Sequence, residues 1–294
     1  MTDSPRITVR FFRLSEELQP YFTALYLTVI EAGDAMVRDH LHPEWAAMRF
    51  TEGPPPIACI GPGELVPQWP FVASGPTSRA TNFAVSSSRV WGLGLQPAGW
   101  ARFAKGAAAT FANRTVDGTT HPTFALFAGI LPQILACTDG DEAKAQLVDA
   151  HLLASGGRAD PREGAIFACQ DALRDPAVGE VAALQERLCM TVKTLERFCR
   201  RYFGFPPKLL LRRQRFARSL AQFMLDPSMS WIDALDGQYH DQAQFVREFR
   251  EFMGMLPSEY AKTPHPIVQP IMRQRMVDQG AAEPLDLLTV ARFR

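Results

Sequence analysis

The sequence predicts an α+β protein with a β-rich N-terminal domain and an all-α C-terminal domain. Residues 1–100 contain short β-type segments separated by turn clusters, whereas helical periodicity dominates from Gly99 onwards. A helical pattern then recurs at an offset of 50 residues. With 294 residues, 47% of them hydrophobic and 21% charged, the chain is long enough for two separate cores.

The β-type segments of the first hundred residues read ITVRFF, FTALYLTVI, IACIG and RVWGLGLQ. The clusters EGPPP, GPGE and SGPTS between them are rich in glycine and proline, which mark turns. Many short strands with such spacing indicate a β-sandwich or a β-barrel. We assign this β-rich domain, including a helical C-terminal part, to residues 1–153.

The remaining boundaries follow from changes in composition. Residues 154–162 contain SGGRADP and are predicted to be a flexible linker. Residues 163–262 are helical in pattern. The tail at 263–294 begins with several prolines and shows no obvious packing partner, so we expect it to be partly disordered.

Cysteine usage and hydropathy indicate a cytoplasmic protein without membrane association. The five cysteines are scattered and never spaced as C-x-x-C, which argues against a disulfide framework and against a zinc finger. The N-terminus lacks the apolar segment of a signal peptide. The longest apolar run, at 124–137, is too short to span a bilayer and contains Pro132.

The repeat consists of two helical segments that align with each other in sequence. An offset of 50 superposes Arg197 on Arg247 and Gly204 on Gly254, and each copy reads helix, short break, helix, glycine. Thr191 is predicted to cap the second helix of the first copy, and Asp241, three residues before Gln244, that of the second. Trp231, Ile232 and Leu235 belong to the first helix of the second copy. Two helices joined by a short turn form a helix-turn-helix, so the domain contains two such units.

The window from 187 to 218 holds most of the information about function. It contains ten lysines and arginines against one acid, Glu196, a net charge of +9 in a chain whose total is zero. If Leu195, Phe198 and Tyr202 face the core, the cations of this helix face outward, as in a helix that reads DNA. A solvated helix face is the alternative. The second copy mixes Arg247 and Arg250 with Asp241, Glu248 and Glu251 on its predicted exposed face, so a mainly structural role is left open for it.

Residues 163–262 resemble the C-terminal DNA-binding domain of AraC/XylS-type transcription regulators. The resemblance rests on TVKTLERFCRRYFGFPPKLLLRRQRFARSL and on HDQAQFVREFREFMGMLPSEYA. The second stretch is close to that family's D-Q-x-x-F-x-R-x-F-x-x-x-x-G-x-x-P-x-x-Y signature. Where the family usually has glycine before the aromatic residue of the second turn, this chain has Gln238, preceded by Gly237.

The resemblance implies two sets of DNA contacts. Base-reading positions are Lys193, Glu196 and Arg197 in the first unit, and Gln242, Ala243, Val246 and Arg247 in the second. Expected phosphate contacts are Arg200, Arg201, Arg212, Arg213 and Arg250. Further implied partners are double-stranded DNA, RNA polymerase, a small-molecule effector and a second copy of the chain. We expect a transcription regulator without enzymatic activity, an activator or a repressor, and we predict neither a cofactor nor a metal ion.

For the N-terminal half, the resemblance implies a cupin-like sensing or dimerisation domain with no known ligand. Aromatic candidates for an effector pocket are Trp45, Trp69, Phe83, Trp91 and Trp100, although such residues more often form a core. Arg49 and Arg79 are candidate partners of an anionic ligand, and the G-x-G at Gly92-Leu93-Gly94 is weak evidence of nucleotide binding.

Two other function classes stay open. The run His40-Leu41-His42-Pro43-Glu44, with His121 as a distant ligand, invites the hypothesis of a cupin-type metal-dependent enzyme carrying a helix-turn-helix appendage. Structural histidines fit that run better, because Glu44 follows the pair too closely. The other alternative is a protein-interaction module that has lost DNA binding.

Overall fold

The computed structural model describes residues 5–225 and 236–272. The strands are β1 (Arg6–Phe12), β2 (Phe22–Glu31), β3 (Val37–Leu41), β4 (Ala47–Glu52), β5 (Ile57–Ile60), β6 (Val66–Pro67), β7 (Phe71–Ser74), β8 (Thr81–Val85), β9 (Ser88–Leu95) and β10 (Thr115–Asp117). The helices are α1 (Pro97–Phe103), α2 (Ile130–Ala136), α3 (Asp141–Ser155), α4 (Glu163–Arg174), α5 (Val181–Leu188), α6 (Val192–Phe203), α7 (Pro207–Leu225), α8 (Gln242–Met253) and α9 (Pro257–Tyr260). The predicted α+β class is confirmed.

The strands form two antiparallel sheets. One has six strands in the order β1-β2-β9-β4-β7-β10, and the other has four in the order β3-β8-β5-β6. Successive side chains of a strand point to opposite faces, so Leu25 and Leu27 of β2 face one way while Tyr26 and Thr28 face the other. The leucine face packs with α1, α2 and α3 in the main core of the domain. The six-stranded sheet therefore has the helices on one side and the second sheet on the other.

The C-terminal helices begin and end where the caps predict. The Thr191 side chain accepts a hydrogen bond from Thr194 N, and Asp241 Oδ1 accepts one from Gln244 N at 2.6 Å. Both helices end in a glycine with left-handed backbone, at φ 85° for Gly204 and 75° for Gly254. The first unit is α5 and α6. Residues 226–235, which carry Trp231, Ile232 and Leu235, lie outside the described part.

The beginning of the tail packs against the N-terminal domain, contrary to the expectation that it lacks a partner. The backbone N–H groups of Ile267 and Val268 both donate to Asp39 Oδ2 at 2.8 Å, and both side chains are buried. Residues 268–272 form a helical turn. The predicted disorder of the later tail falls on residues 273–294, outside the described part. Within the described ranges, no helix has both the length and the apolar character needed to cross a membrane.

The β7–β8 loop (residues 75–80) brings the two domains together. Ala80 N donates to Phe252 O of α8 at 2.6 Å. At the other end of the loop, Pro76 lies so close to Gly204 that a Cβ added to that glycine would stand 2.8 Å from Pro76 Cγ. One loop of six residues thus contacts the helix that ends each unit.

Candidate nucleic-acid interface

Helix α6 separates apolar from charged side chains around its circumference. Leu195, Phe198 and Tyr202 are buried against α4, α5 and α7, together with Phe203. The opposite side exposes the residues predicted to contact DNA, which are Lys193, Glu196, Arg197, Arg200 and Arg201. The helix therefore presents its predicted base readers and two predicted phosphate contacts to solvent on one face. Arg200 also pairs with Glu196 at 3.1 Å, one helical turn away.

Helix α8 repeats this arrangement with less charge. Phe245, Phe249 and Phe252 form its buried side, in a cluster that also contains Phe216 of α7. Its exposed positions among the predicted DNA contacts are Gln242, Ala243, Arg247 and Arg250, while Val246 is half-buried. The surface of the second unit thus offers two arginines, an amide and small apolar groups.

Glu248 is buried in the joint between α7 and α8, so its predicted place on the exposed face of α8 is wrong. Its carboxylate pairs with Arg212 at 2.9 Å and with Arg215 at 2.6 Å, and it accepts a hydrogen bond from Tyr239 at 3.0 Å. Burial and the adjacent Glu248 charge raise the pKa of the Tyr239 hydroxyl, which therefore stays protonated as the donor. This carboxylate holds the second unit onto the connecting helix.

Arg212 also forms ion pairs between α7 and α8. It pairs with Glu251 as well as with Glu248, and 28% of its side chain remains exposed. Burial alone would lower the pKa of its guanidinium, but the two carboxylates outweigh it and raise the pKa. As placed here, Arg212 neutralises acids of α8, and a role at a phosphate would require it to leave these partners.

Arg213 lies inside the protein, and its predicted phosphate contact does not fit that position. Its side chain is 1% exposed, and Nη1 donates to Thr77 O at 2.9 Å and to Glu44 O at 3.2 Å. The guanidinium also lies 3.7 Å from the ring centroid of Trp45. Burial lowers its pKa to about 9, which leaves it charged at neutral pH. Arg213 joins α7 to the N-terminal domain.

The spacing of residues along α7 could have predicted that Arg213 is buried. Leu210, Arg213 and Phe216 are spaced at intervals of three along α7, and Leu210 and Phe216 are both buried. An arginine in line with two buried apolar residues belongs to the inner stripe of a helix rather than to its outer face.

The basic window accordingly divides into two groups. Five of its ten cations have partners outside α6 in the described structure: Arg187 pairs with Asp175, Arg212 and Arg215 with Glu248, Arg218 with Asp236, and Arg213 binds carbonyl groups. The other five are the exposed Lys193, Arg197, Arg200, Arg201 and Lys208. Four of these five lie on α6, so the outward-facing charge is concentrated on the predicted recognition helix.

Gln238, the departure from the family pattern, links the two units. Its Nε2 donates to Pro176 O in the α4–α5 connection, and its Oε1 accepts from Arg218 Nη2 at 3.0 Å. Its amide also lies against Gly179, where an added Cβ would stand 2.8 Å from Nε2. A glycine at 238 could make none of these side-chain contacts.

A wide groove runs beside the exposed face of α6. One wall is α6 itself, and the other consists of Ala107 and Ala109 of the N-terminal domain and residues 160–162 between α3 and α4. The groove encloses about 1520 Å³ and is open to solvent. The N-terminal domain therefore borders the recognition face of α6 directly.

The histidine run lies where the tail meets the N-terminal domain. Within the described ranges, ligand-type atoms of Asp39, His40 and His265 lie within 4.8 Å of one another. Both oxygens of Asp39 already accept hydrogen bonds, from two backbone N–H groups of the tail, from His40 N at 2.7 Å and from His265 Nδ1 at 3.2 Å. This carboxylate fixes the tail in place.

His42 and His121 have separate local partners. His42 Nε2 lies 2.7 Å from the hydroxyl of Tyr260, and burial lowers the pKa of His42 to about 4, so its ring is neutral at pH 7. His121 Nδ1 instead accepts a hydrogen bond from Thr123 N and begins a short 3₁₀ helix. The ligand set predicted for the metal hypothesis is therefore spread over two places.

The residues predicted to line an effector pocket lie in several different places. Phe83 lines a cavity between the two sheets, Trp45 lines a neighbouring one, and Arg49 lines both. Trp91 and Trp100 are buried in the core on the helix side. Trp69 and Arg79 are exposed. Gly92 and Gly94 lie within β9, where the side chains of Tyr26 and Thr23 cover them, so the G-x-G belongs to a strand interior.

Comparison with known proteins bears on the C-terminal part. Residues 184–263 match a family described as "Helix-turn-helix domain". No curated protein matches the chain. Among solved structures, a ligand-bound form of ToxT from Vibrio cholerae O395 is 9% identical with a TM-score of 0.42, covering 88% of this chain and 98% of that one. An apo ToxT variant from Vibrio cholerae strain SCE256 is 11% identical with a TM-score of 0.40, covering 88% and 97%. Likeness at this level carries no argument about function.

The matched segment contains both α6 and α8, with the caps and the terminal glycines on which the resemblance rests. Helix α7 lies between these two helices in the chain and packs against both. Residues 184–263 therefore form a helix-turn-helix domain of the kind that AraC/XylS-type regulators carry, which supports the role of a DNA-binding transcription regulator.

Proposed function

We propose that the protein binds an operator in double-stranded DNA with α6 and α8 in the major groove, and that its N-terminal domain controls this binding. The observation that carries the proposal is the exposed, nearly acid-free face of α6, which lies on the helix that the family model matches. Base edges are read by Lys193, Glu196 and Arg197 of the first unit and by Gln242, Ala243, Val246 and Arg247 of the second. Phosphates are bound by Arg200, Arg201 and Arg250.

The two units contribute unequally. Arginine pairs with guanine through two parallel hydrogen bonds, and Arg197 stands on α6 without an acid partner in the described structure. In α8, Gln242 suits adenine, and the side chains of Ala243 and Val246 suit the methyl group of thymine. The first unit supplies most of the electrostatic attraction, and the second adds discrimination with little charge.

Control acts through the contacts between domains. The β7–β8 loop contacts the ends of α6 and α8, and Arg213 binds the same loop through Thr77. An effector or a second copy of the chain bound to the N-terminal domain would shift this loop and, with it, the relative position of the two units. Contact with RNA polymerase would then convert operator binding into activation.

The test compares arginines with different proposed roles. Arg197→Ala is expected to cost about 1–3 kcal/mol at the specific site and to relax the preference at one base position. Arg200→Ala is expected to weaken binding to all sequences and to make the log–log salt slope less negative by about 0.9. Arg38→Ala, an exposed arginine of β3, is the matched control and should change neither quantity.

Operator selection from a random duplex library, followed by titration at several salt concentrations, measures both effects. An unchanged base preference for Arg197→Ala contradicts its role as a reader. Absence of any duplex affinity in the unmodified protein, together with salt-insensitive binding to another protein, would establish the interaction-module alternative instead.

A further inference from the structure

Part of the space between the two sheets is an apolar cavity. Its volume is about 710 Å³, a figure that includes space open to solvent, and its walls are inward-facing residues of both sheets. Ile30 and Val90 belong to the six-stranded sheet, and Phe83 and Val85 belong to the four-stranded one. Sandwich domains normally fill this layer with interdigitating side chains. Here the larger core lies on the helix side of the six-stranded sheet, and only a smaller cluster around Ile30 and Val85 packs between the sheets, beside the cavity.

Three polar atoms in the wall of this cavity are buried without a hydrogen-bond partner in the described structure. They are Thr28 Oγ1, Thr51 Oγ1 and Gln68 Oε1. Both threonines are 3% exposed, and both pair with Val90 in the sheet register, so their side chains stand in one row across three strands, about 10 Å apart. Buried polar groups nearly always have partners, so three orphans in one apolar cavity indicate a missing partner.

The orientation of Gln68 defines what that partner must offer. Its Nε2 donates to Val66 O at 3.0 Å and to Ala58 O at 3.3 Å, which assigns the other amide atom as oxygen. An amide oxygen accepts hydrogen bonds only, so the ligand must donate one. A hydroxyl does this and can also accept from a threonine, whereas a carboxylate can only accept.

The charges around the cavity are already balanced. Arg49, the cation in its wall, pairs with Glu44 at 2.6 Å. Tyr26 lies across Gly92, which has no side chain, and also interacts with Arg49. An anionic ligand would have to compete with Glu44 for this guanidinium. The wall therefore favours an uncharged ligand.

We propose that this cavity binds an uncharged, mainly apolar small molecule that carries a hydroxyl group. The hydroxyl donates to Gln68 or pairs with Thr28 and Thr51, and the apolar part contacts Ile30, Val90 and Phe83. This assignment rests on the effector control proposed above and names the chemistry of the effector. It is tested by ligand binding without DNA, so the two can fail separately.

The end wall of the cavity comes from the segment that follows the DNA-binding domain. Ile267 and Ile271 close it, and Asp39 holds that segment through backbone N–H groups. A few residues earlier, Tyr260 stacks on His265 at 4.0 Å and contacts Phe249 of α8 at 5.6 Å. A ligand that presses on the two isoleucines thus acts on a segment attached directly to the second unit.

The experiment uses two matched pairs of probes with the full-length protein, 1-octanol against octanoate and 2-naphthol against 2-naphthoate. Each pair keeps the apolar part and exchanges a hydroxyl for a carboxylate. Titration calorimetry at pH 7.5 is expected to show at least one alcohol binding about tenfold more tightly than its carboxylate. The better pair identifies the ligand as aliphatic or aromatic. Equal or tighter binding of the carboxylates overturns the assignment, and so does absence of binding by both alcohols.

Variants localise the site. Thr28→Val and Thr51→Val keep the side-chain volume and remove an unpaired hydroxyl, so the ligand-free variants should keep or raise the melting temperature. Each is expected to weaken alcohol binding by about 3- to 10-fold, since one hydrogen bond is lost. Thr8→Val, at an exposed position of β1, is the control and should bind like the unmodified protein.

Unchanged alcohol affinity in both cavity variants would show that the alcohol binds elsewhere and would refute the site. A final titration of operator DNA with and without the alcohol tests the coupling. We expect the DNA affinity to change by at least severalfold. Alcohol binding that leaves DNA affinity unchanged would refute the effector role of the cavity.

Discussion

Replacing Arg213 by methionine tests whether its cation serves the fold or the DNA. Methionine keeps an unbranched apolar stem of similar length and removes the guanidinium. Arg213 is 1% exposed and binds Thr77 O and Glu44 O. We therefore expect the variant to weaken the contact between α7 and the N-terminal domain and to leave the contacts between other residues and DNA phosphates unchanged.

The magnitude follows from opposing contributions. Hydrogen bonds from a charged donor contribute about 1.5–3 kcal/mol each, and a desolvated cation over an indole ring contributes about 2 kcal/mol. Against these stands the cost of burying the charge, which lowers the pKa of Arg213 from 12.5 to about 9. At about 1.4 kcal/mol for each pKa unit, that cost is about 5 kcal/mol. The expected net loss in the free energy of unfolding is therefore modest, about 1–3 kcal/mol, with the Thr77 carbonyl left unpaired.

Two measurements separate the two roles, with Arg201→Met of the exposed face of α6 as the matched variant. Urea denaturation should show the loss of stability for Arg213→Met and almost none for Arg201→Met. Titration of DNA at several salt concentrations should show the reverse, with the slope less negative by about 0.9 only for Arg201→Met. A slope reduced equally by Arg213→Met would refute the reasoning, because it would mean that Arg213 leaves the N-terminal domain to bind a phosphate.

Three further substitutions test the contacts between elements. Glu248→Gln removes the charge that two arginines share and should lower the free energy of unfolding by about 3 kcal/mol in urea, whereas an unchanged value would mean that those arginines find other partners. Gly204→Ala, at φ 85° and against Pro76, should destabilise by about 1–2 kcal/mol, while Gly164→Ala in open space on α4 should not destabilise, and equal effects would contradict the strain argument. Burial alone would raise the pKa of Asp39, but the hydrogen bonds that its carboxylate accepts outweigh burial and lower the pKa. The ionised carboxylate therefore stabilises the fold fully above the unfolded pKa of about 3.9, and this stabilisation is lost as the pH falls through the lower pKa of the folded state. The protection factors of residues 266–272, which are exchange rates corrected for the intrinsic rate at each pH, should therefore be equal at pH 7 and pH 5 and should fall below about pH 4, a change that Asp39→Asn should abolish.

Local signals predicted much of the DNA-binding domain correctly. The caps at Thr191 and Asp241 and the glycines at 204 and 254 act within one helical turn, so their geometry follows from neighbouring residues alone. The apolar spacing of α6 likewise fixed which side faces outward. These features needed no knowledge of the rest of the chain.

Contacts between distant segments could not be read from such signals. Glu248 looked like a surface acid because nothing near it in sequence shows that two arginines of α7 lie opposite it. The Asp39 carboxylate binds backbone N–H groups more than 220 positions later in the chain. Every residue except proline has such a group, so the sequence does not mark which of them Asp39 binds. The cavity between the sheets was equally hidden from the sequence, since Thr28 and Thr51 are ordinary alternating strand residues.

The β7–β8 loop offers the proposed control by the N-terminal domain a route to both proposed recognition helices. Its six residues contact the end of α6 at Gly204, α7 at Arg213 and the end of α8 at Phe252. Two helices reading one face of a duplex must enter successive major-groove segments, so their separation and relative angle decide whether both can bind together. In the proposed mechanism, a loop in contact with both helices sets that separation without touching a base. Control through it would act on the geometry between the units and leave the chemistry of each reading face unchanged. An effector should therefore alter affinity for the complete operator and leave the base preference of each half intact.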